Sequence, residues 1–236
     1  INRIIEDKSA LEKCQILVFP GGFSYGDDVA AGKILANQVV HHLYEPVQKF
    51  IEAGKLVLGI CNGFQVLVKA GILPGNEQDS RQDTVTITYN DSNKFEDRWV
   101  YLAPQTEKCI FIEPCRQIYL PIAHAEGKVV TKDEAALKTL KSEGYVAFKY
   151  VDEKGEEGPY PVNPNGSVDS IAGLTDTTGR VLGLMPHPER HVRPTRHPHW
   201  TRLHKRRGMK DDGREMIDAD GMTIFTNAVK YVQNNL

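Results

Sequence analysis

The chain has 236 residues, with 29 lysines and arginines against 31 aspartates and glutamates, for a formal charge of −2. That balance excludes a bulk field that would gather nucleic acid. No run approaches the roughly 20 apolar residues of a membrane helix, and the opening Ile1-Asn2-Arg3-Ile4-Ile5-Glu6-Asp7 lacks the apolar segment of a signal peptide. Cys14, Cys61, Cys109 and Cys115 form no C-x-x-C pair and no zinc-finger spacing. They read as cysteines of a reducing compartment, the cytoplasm. Length and pattern together read as one domain over 1–236.

Gln15-Ile16-Leu17-Val18-Phe19 is a continuous apolar run, the pattern of a parallel strand buried on both faces. It ends at Pro20-Gly21-Gly22-Phe23-Ser24-Tyr25-Gly26-Asp27. A double glycine there is either a plain strand exit or a turn whose N–H groups face a ligand crevice. Val29 to Leu43 and Pro46 to Ala53 read as helices, the second closed by Gly54. Leu56 to Ile60 is the next apolar strand, followed by Cys61 and a helix from Asn62 to Ala70. Glycines stand two before and two after the cysteine, at Gly59 and Gly63. That is the spacing of a nucleophile elbow, in which backbone passes close on both sides of the reactive residue. The adjacent helix N-terminus favours thiolate over thiol and offers N–H groups to an oxyanion. A lone cysteine in an apolar run also reads as core.

The middle of the chain changes character. Thr84 to Tyr89 alternates as a half-exposed strand, and Trp99 to Leu102 and Gln117 to Ile122 are further strands. Thr131 to Gly144 reads as a helix, Val146 to Val151 as a strand, and Gly155 to Gly166 as loop. Ile171 to Leu174 and Val181 to Met185 form a hairpin-like pair. The second of these delivers Pro186-His187-Pro188-Glu189. A histidine two residues from a carboxylate reads as a base with its tautomer held, or as a surface pair. Arg190 to Glu215 carries nine Lys or Arg and four His with no compact ligand spacing, and reads as a solvated or partner-facing segment. Thr223 to Val232 is a final amphipathic helix.

These motifs together resemble the class I, triad-type glutamine amidotransferases, and within them the glutaminase subunits of phosphoribosylformylglycinamidine synthase. The resemblance is carried by Pro20 to Asp27, Gly59-Ile60-Cys61-Asn62-Gly63-Phe64-Gln65, Gly71 to Gly75, Asn90, Ser92 and Phe95, and Arg98-Trp99-Val100. Pro121 to Gly127, Asn163 to Ser167 and Gly183 to Arg190 complete it. It implies an α/β fold, an open and mostly parallel sheet flanked by helices (flavodoxin-like), with a small antiparallel extension. It implies a triad of Cys61, His187 and Glu189, an oxyanion hole from Gly22, Phe23 and Asn62, and glutamine held by Gln65 and Gly21. It implies no cofactor or metal in this chain, with ATP and Mg²⁺ on a partner synthetase that receives the ammonia, and a small accessory subunit beside it. Neither nucleic acid nor membrane enters as a partner. Another cysteine hydrolase or amidotransferase of the same fold, or a non-catalytic binding module, stand as alternatives.

Two departures accompany the resemblance. Family members carry a further strand and helix ahead of the first strand seen here, with a glycine and an Asn-Cys pair at that strand's end. Only Ile1 to Cys14 precede Gln15, so the expectation is a truncated chain whose Gln15–Phe19 strand becomes a sheet edge. The second departure is the basic insert Arg193 to Arg214, expected to contact the synthetase.

Overall fold

The computed structural model describes residues 1–75, 84–202 and 219–236. Nine strands are described: β1 (Ile16–Phe19), β2 (Leu56–Ile60), β3 (Val85–Thr88), β4 (Glu96–Pro104), β5 (Ile118–His124), β6 (Lys128–Thr131), β7 (Val146–Val151), β8 (Ile171–Thr175) and β9 (Val181–Leu184). Seven form one sheet in the order β1-β2-β9-β8-β7-β4-β5, and β3 pairs with β6 in a separate antiparallel ribbon. The β1–β2 and β2–β9 pairs are parallel. The remaining four pairs in the large sheet are antiparallel. By direction, β1, β2, β9, β7 and β5 run one way and β8 and β4 the other.

The helices are α1 (Asn2–Glu6), α2 (Lys33–Gln38), α3 (Tyr44–Glu52), α4 (Asn62–Lys69), α5 (Glu134–Ser142) and α6 (Asp220–Asn235). α4 is buried from Asn62 to Val68. Its Phe64 lies where Gly183 of β9 has no side chain: a Cβ there would come 2.2 Å from the ring. α3 turns Val47, Phe50 and Ile51 inward, the spacing of one helical face. α5 starts at Asp133, whose carboxylate accepts from the Ala136 N–H at 2.8 Å. α6 packs on the turn after β9, where a Cβ on Gly221 would meet the Pro188 carbonyl at 2.1 Å.

Several expectations change. β1 is the edge strand, as the first departure leads one to expect, but it leaves Val18 43% exposed, so the burial on both faces read from its apolar run is not met. The helix expected from Val29 begins at Lys33, because Gly32 takes a left-handed φ of 71°, and it runs on into a π-helical turn over Val39–Leu43. β6 lies where no strand is expected, and the helix expected from Thr131 begins at Glu134. The basic segment is not solvated at its start. His191 and His197 are buried. The Trp99 ring stands 4.8 Å from the His191 ring and 4.3 Å from the His197 ring, both near edge-to-face, the arrangement aromatic quadrupoles favour. The rest of the expected synthetase-contacting insert, from residue 203 on, lies outside the described residues.

Candidate active site

Cys61 is the single residue between β2 and α4, with φ 49° and ψ −104°. Positive φ is costly for a residue with a Cβ. Close packing on either side enforces it. A Cβ on Gly59 would sit 2.5 Å from Leu67 Cδ1, and one on Gly63 would sit 1.9 Å from the Phe19 carbonyl oxygen. The elbow is thus clamped between α4 and the end of β1. β9 runs parallel beside β2, so His187 emerges at the same sheet edge. Gly21 joins the two: a Cβ there would lie 2.8 Å from the His187 ring and 3.6 Å from Cys61 Cβ.

His187 Nδ1 is 2.6 Å from Glu189 Oε1. A carboxylate can only accept, so Nδ1 carries the hydrogen and Nε2 is the free lone pair. His187 Nε2 is buried with no partner among the described residues. The Cys61 thiol donates to the Ala123 carbonyl at 3.7 Å. Burial pushes its pKa up to about 12, against the opposing pull of the Asn62 backbone N–H and the Arg190 charge. This corrects the expectation of a resting thiolate. The helix N-terminus does favour charge, but loss of solvent outweighs it, so the thiol needs a base.

Asn62 fastens the glycine turn to the elbow. Its Oδ1 accepts from the Ser24 N–H at 3.3 Å, and its Nδ2 donates to Asp27 Oδ1 at 3.1 Å and to Gln65 Oε1 at 3.0 Å. Gln65 Nε2 donates to the Glu126 carbonyl at 2.5 Å. Gln65 is therefore held at both ends of its amide, with one Oε1 lone pair left. Gly22 has φ 138°, and nothing approaches its Cβ position. Phe23 is 68% exposed.

Residues outside the sequence reading complete the surroundings. The Glu126 carboxylate accepts from the Ala31 N–H at 3.2 Å and faces Lys69 Nζ at 4.0 Å. Tyr150, fully buried, accepts from Asn165 Nδ2 at 3.3 Å. Glu126 and Asn165 lie inside motifs that carry the resemblance, yet their spacing gave no role; only β5 and the loop after β7 bring them here. Among the described residues no group of three or more His, Cys, Asp or Glu could hold a metal ion, and no helix is long and apolar enough to cross a membrane.

A strained cysteine elbow beside a carboxylate-held histidine, on a mixed sheet of this order, defines a cysteine-dependent amidotransferase domain. The family model of the CobB/CobQ-like glutamine amidotransferase domain matches residues 1–232, and the chain belongs to that family. More particularly, the chain is similar to the phosphoribosylformylglycinamidine synthase subunit PurQ of Dehalococcoides mccartyi, 46% identical over 99% of this chain and 86% of the relative. The protein of the same name from Methanococcus maripaludis is 39% identical over 98% of this chain and 85% of its own length. Among solved structures, one described as PurLQS from Thermotoga maritima superposes with a TM-score of 0.63 at 30% identity, covering 92% of this chain and 80% of that one.

Proposed function

We propose that this chain is the glutaminase subunit of a phosphoribosylformylglycinamidine synthase. It hydrolyses glutamine to glutamate and ammonia, and a partner synthetase uses the ammonia in de novo purine synthesis. The observation that carries the reading is the juxtaposition of Cys61 at φ 49° with His187, itself 2.6 Å from Glu189, in a chain 46% identical to a subunit of that name.

The geometry supports the following roles. The substrate carboxamide is taken up at Cys61 and His187, against which Gly21 brings the glycine turn so closely that a Cβ there would lie 2.8 Å from the His187 ring. His187 Nε2 takes the thiol proton as sulfur attacks the carboxamide carbon. Coupling the two events avoids forming a free thiolate in a site that disfavours it. The oxyanion is met by the Asn62 N–H, which already points at the sulfur, and by the Gly22-Phe23 turn. His187 returns the proton to the departing nitrogen, ammonia leaves, and water hydrolyses the glutamyl thioester. Glu189 holds the histidine tautomer throughout. Gln65 offers its remaining Oε1 lone pair to the substrate. The chain uses no cofactor of its own; ATP and Mg²⁺ serve the synthetase, and a small accessory subunit completes the assembly.

Reconstitution with a synthetase tests this. Cys61→Ala should abolish synthesis from glutamine while leaving synthesis from added ammonia intact. Loss of both reactions, with the complex still assembled, would remove the assigned role.

A further inference from the structure

β5 runs along the reaction centre. The Pro121 carbonyl takes the His187 N–H at 2.8 Å, the Ala123 carbonyl takes the Cys61 thiol, and the Glu126 carbonyl takes the Gln65 amide. Between the last two contacts stands a second buried histidine, His124, 3% exposed. It is near enough to His187 for that residue's charge to act on it. Gly127 lies on its ring: a Cβ there would fall 2.3 Å from Cε1, 2.4 Å from Nδ1 and 2.7 Å from Nε2.

The tautomer of His124 is fixed by its neighbour. Asn90 Nδ2 donates to the carbonyls of Lys94 at 3.0 Å and His124 at 2.9 Å, and Asn90 Oδ1 accepts from the Gly127 N–H at 3.0 Å. Those bonds settle which end of the carboxamide is oxygen. Oδ1, which can only accept, is 3.2 Å from His124 Nδ1, so Nδ1 carries the hydrogen and Nε2 is a bare lone pair. His124 Nε2 is buried and has no partner among the described residues. A buried acceptor left unmet is costly. Burial, and then the charge of His187, pushes the ring pKa down to about 4. The nitrogen therefore stays an acceptor in neutral solution.

We propose that His124 Nε2 accepts an N–H from the carboxamide nitrogen of glutamine and makes the site specific for an amide over an ester or an acid. This rests on the glutaminase reading above. A carboxamide nitrogen offers two hydrogens, whereas an ester or carboxylate oxygen offers only lone pairs and is repelled. No proton passes through His124. The thiol proton goes to His187 as the S–C bond forms, and returns to nitrogen as the C–N bond breaks. Once water has cleaved the thioester, the glutamate carboxylate meets His124 lone pair to lone pair, which favours release.

The test compares two donors in the complex with the synthetase, glutamine and glutamate γ-methyl ester. His124→Phe should lower kcat/KM for glutamine about tenfold or more and leave the ester within about threefold. His124→Gln, which restores an acceptor, should recover part of the loss. An equal fall for both substrates, the result of a purely structural role, would overturn the proposal, as would an unchanged ratio. A second measurement leaves His124 in place. In Cys61→Ser with ¹⁵N-labelled histidine, saturating glutamine should move the His124 Nε2 resonance upfield and glutamate should not. No movement with glutamine also overturns it. A wild-type complex that fails to hydrolyse glutamine would remove the glutaminase reading and the proposal with it. Hydrolysis with no change in donor preference removes the proposal alone.

Discussion

Two buried histidines stand at one edge of the sheet and differ mainly in what holds them. His187 follows the parallel strand β9, and its Nδ1 bonds a carboxylate, Glu189. His124 ends β5 in the antiparallel half, and its Nδ1 bonds a carboxamide, Asn90. Both present a buried Nε2 with no partner among the described residues. A carboxylate can balance the imidazolium that forms when His187 takes a proton. A carboxamide orients the ring equally well but supplies no charge, so burial holds His124 neutral. In the proposed mechanism the same side chain, in the same tautomer and at similar burial, is thus a base in one place and a fixed acceptor in the other. The partner atom decides.

The largest effect comes from erasing the difference on the His187 side. Glu189→Gln gives His187 a neutral orienter. Glutamine-dependent turnover should fall roughly 10²- to 10⁴-fold while ammonia-dependent synthesis survives; steady-state assays with the two donors would show it. A loss under tenfold would mean that the charge of Glu189 is dispensable.

Erasing the difference on the other side should cost stability. Asn90→Asp keeps the shape but removes the two N–H donations to Lys94 and His124 carbonyls. A loss of about 2–4 kcal/mol is expected, from one buried and one part-buried acceptor left facing a carboxylate. Urea unfolding at neutral pH measures it, and an unchanged midpoint would contradict the bonding described for Asn90.

A pH series on the native chain sharpens the comparison. His124 titrates near 6.5 when unfolded and at about 4 when folded. Between those values the unfolded state binds the extra proton. The contribution is therefore present above pH 6.5 and lost as pH falls toward 4, up to about 3 kcal/mol. His124→Gln should flatten this part of the acid limb in urea titrations, and an identical limb would count against it.

The smallest effect concerns Cys61. With its thiol pushed up to about 12 by burial, alkylation of the isolated chain by iodoacetamide should keep rising past pH 9, because only the thiolate reacts. A plateau reached below pH 8 would restore the resting thiolate that the elbow pattern suggests.

Much of this site is legible along the chain. Gly59, Cys61 and Gly63 declare the elbow because close backbone approach excludes a Cβ at fixed offsets, and the offsets are local. His187 and Glu189 are two residues apart, so their pairing is local as well. The apolar runs at β2 and β9 announce strands buried on both faces. β1 looks the same in sequence but is an edge, since a strand's position in a sheet is set by its neighbours and not by its own residues. His191 and His197 read as solvated for a related reason: only the fold brings Trp99 and Tyr119 against them.

Sequence alone thus pointed to Cys61, to His187 with Glu189 and to the class of chemistry, because each motif rests on residues close in the chain with strict steric or chemical demands. Tertiary structure decided the protonation state of the thiol, the commitment of the Gln65 amide N–H to the Glu126 carbonyl, and the acceptor character of His124. Each of those depends on desolvation or on a partner tens of residues away. Solvent exclusion and long-range hydrogen bonds are properties of the packed molecule, and no spacing along the chain encodes them.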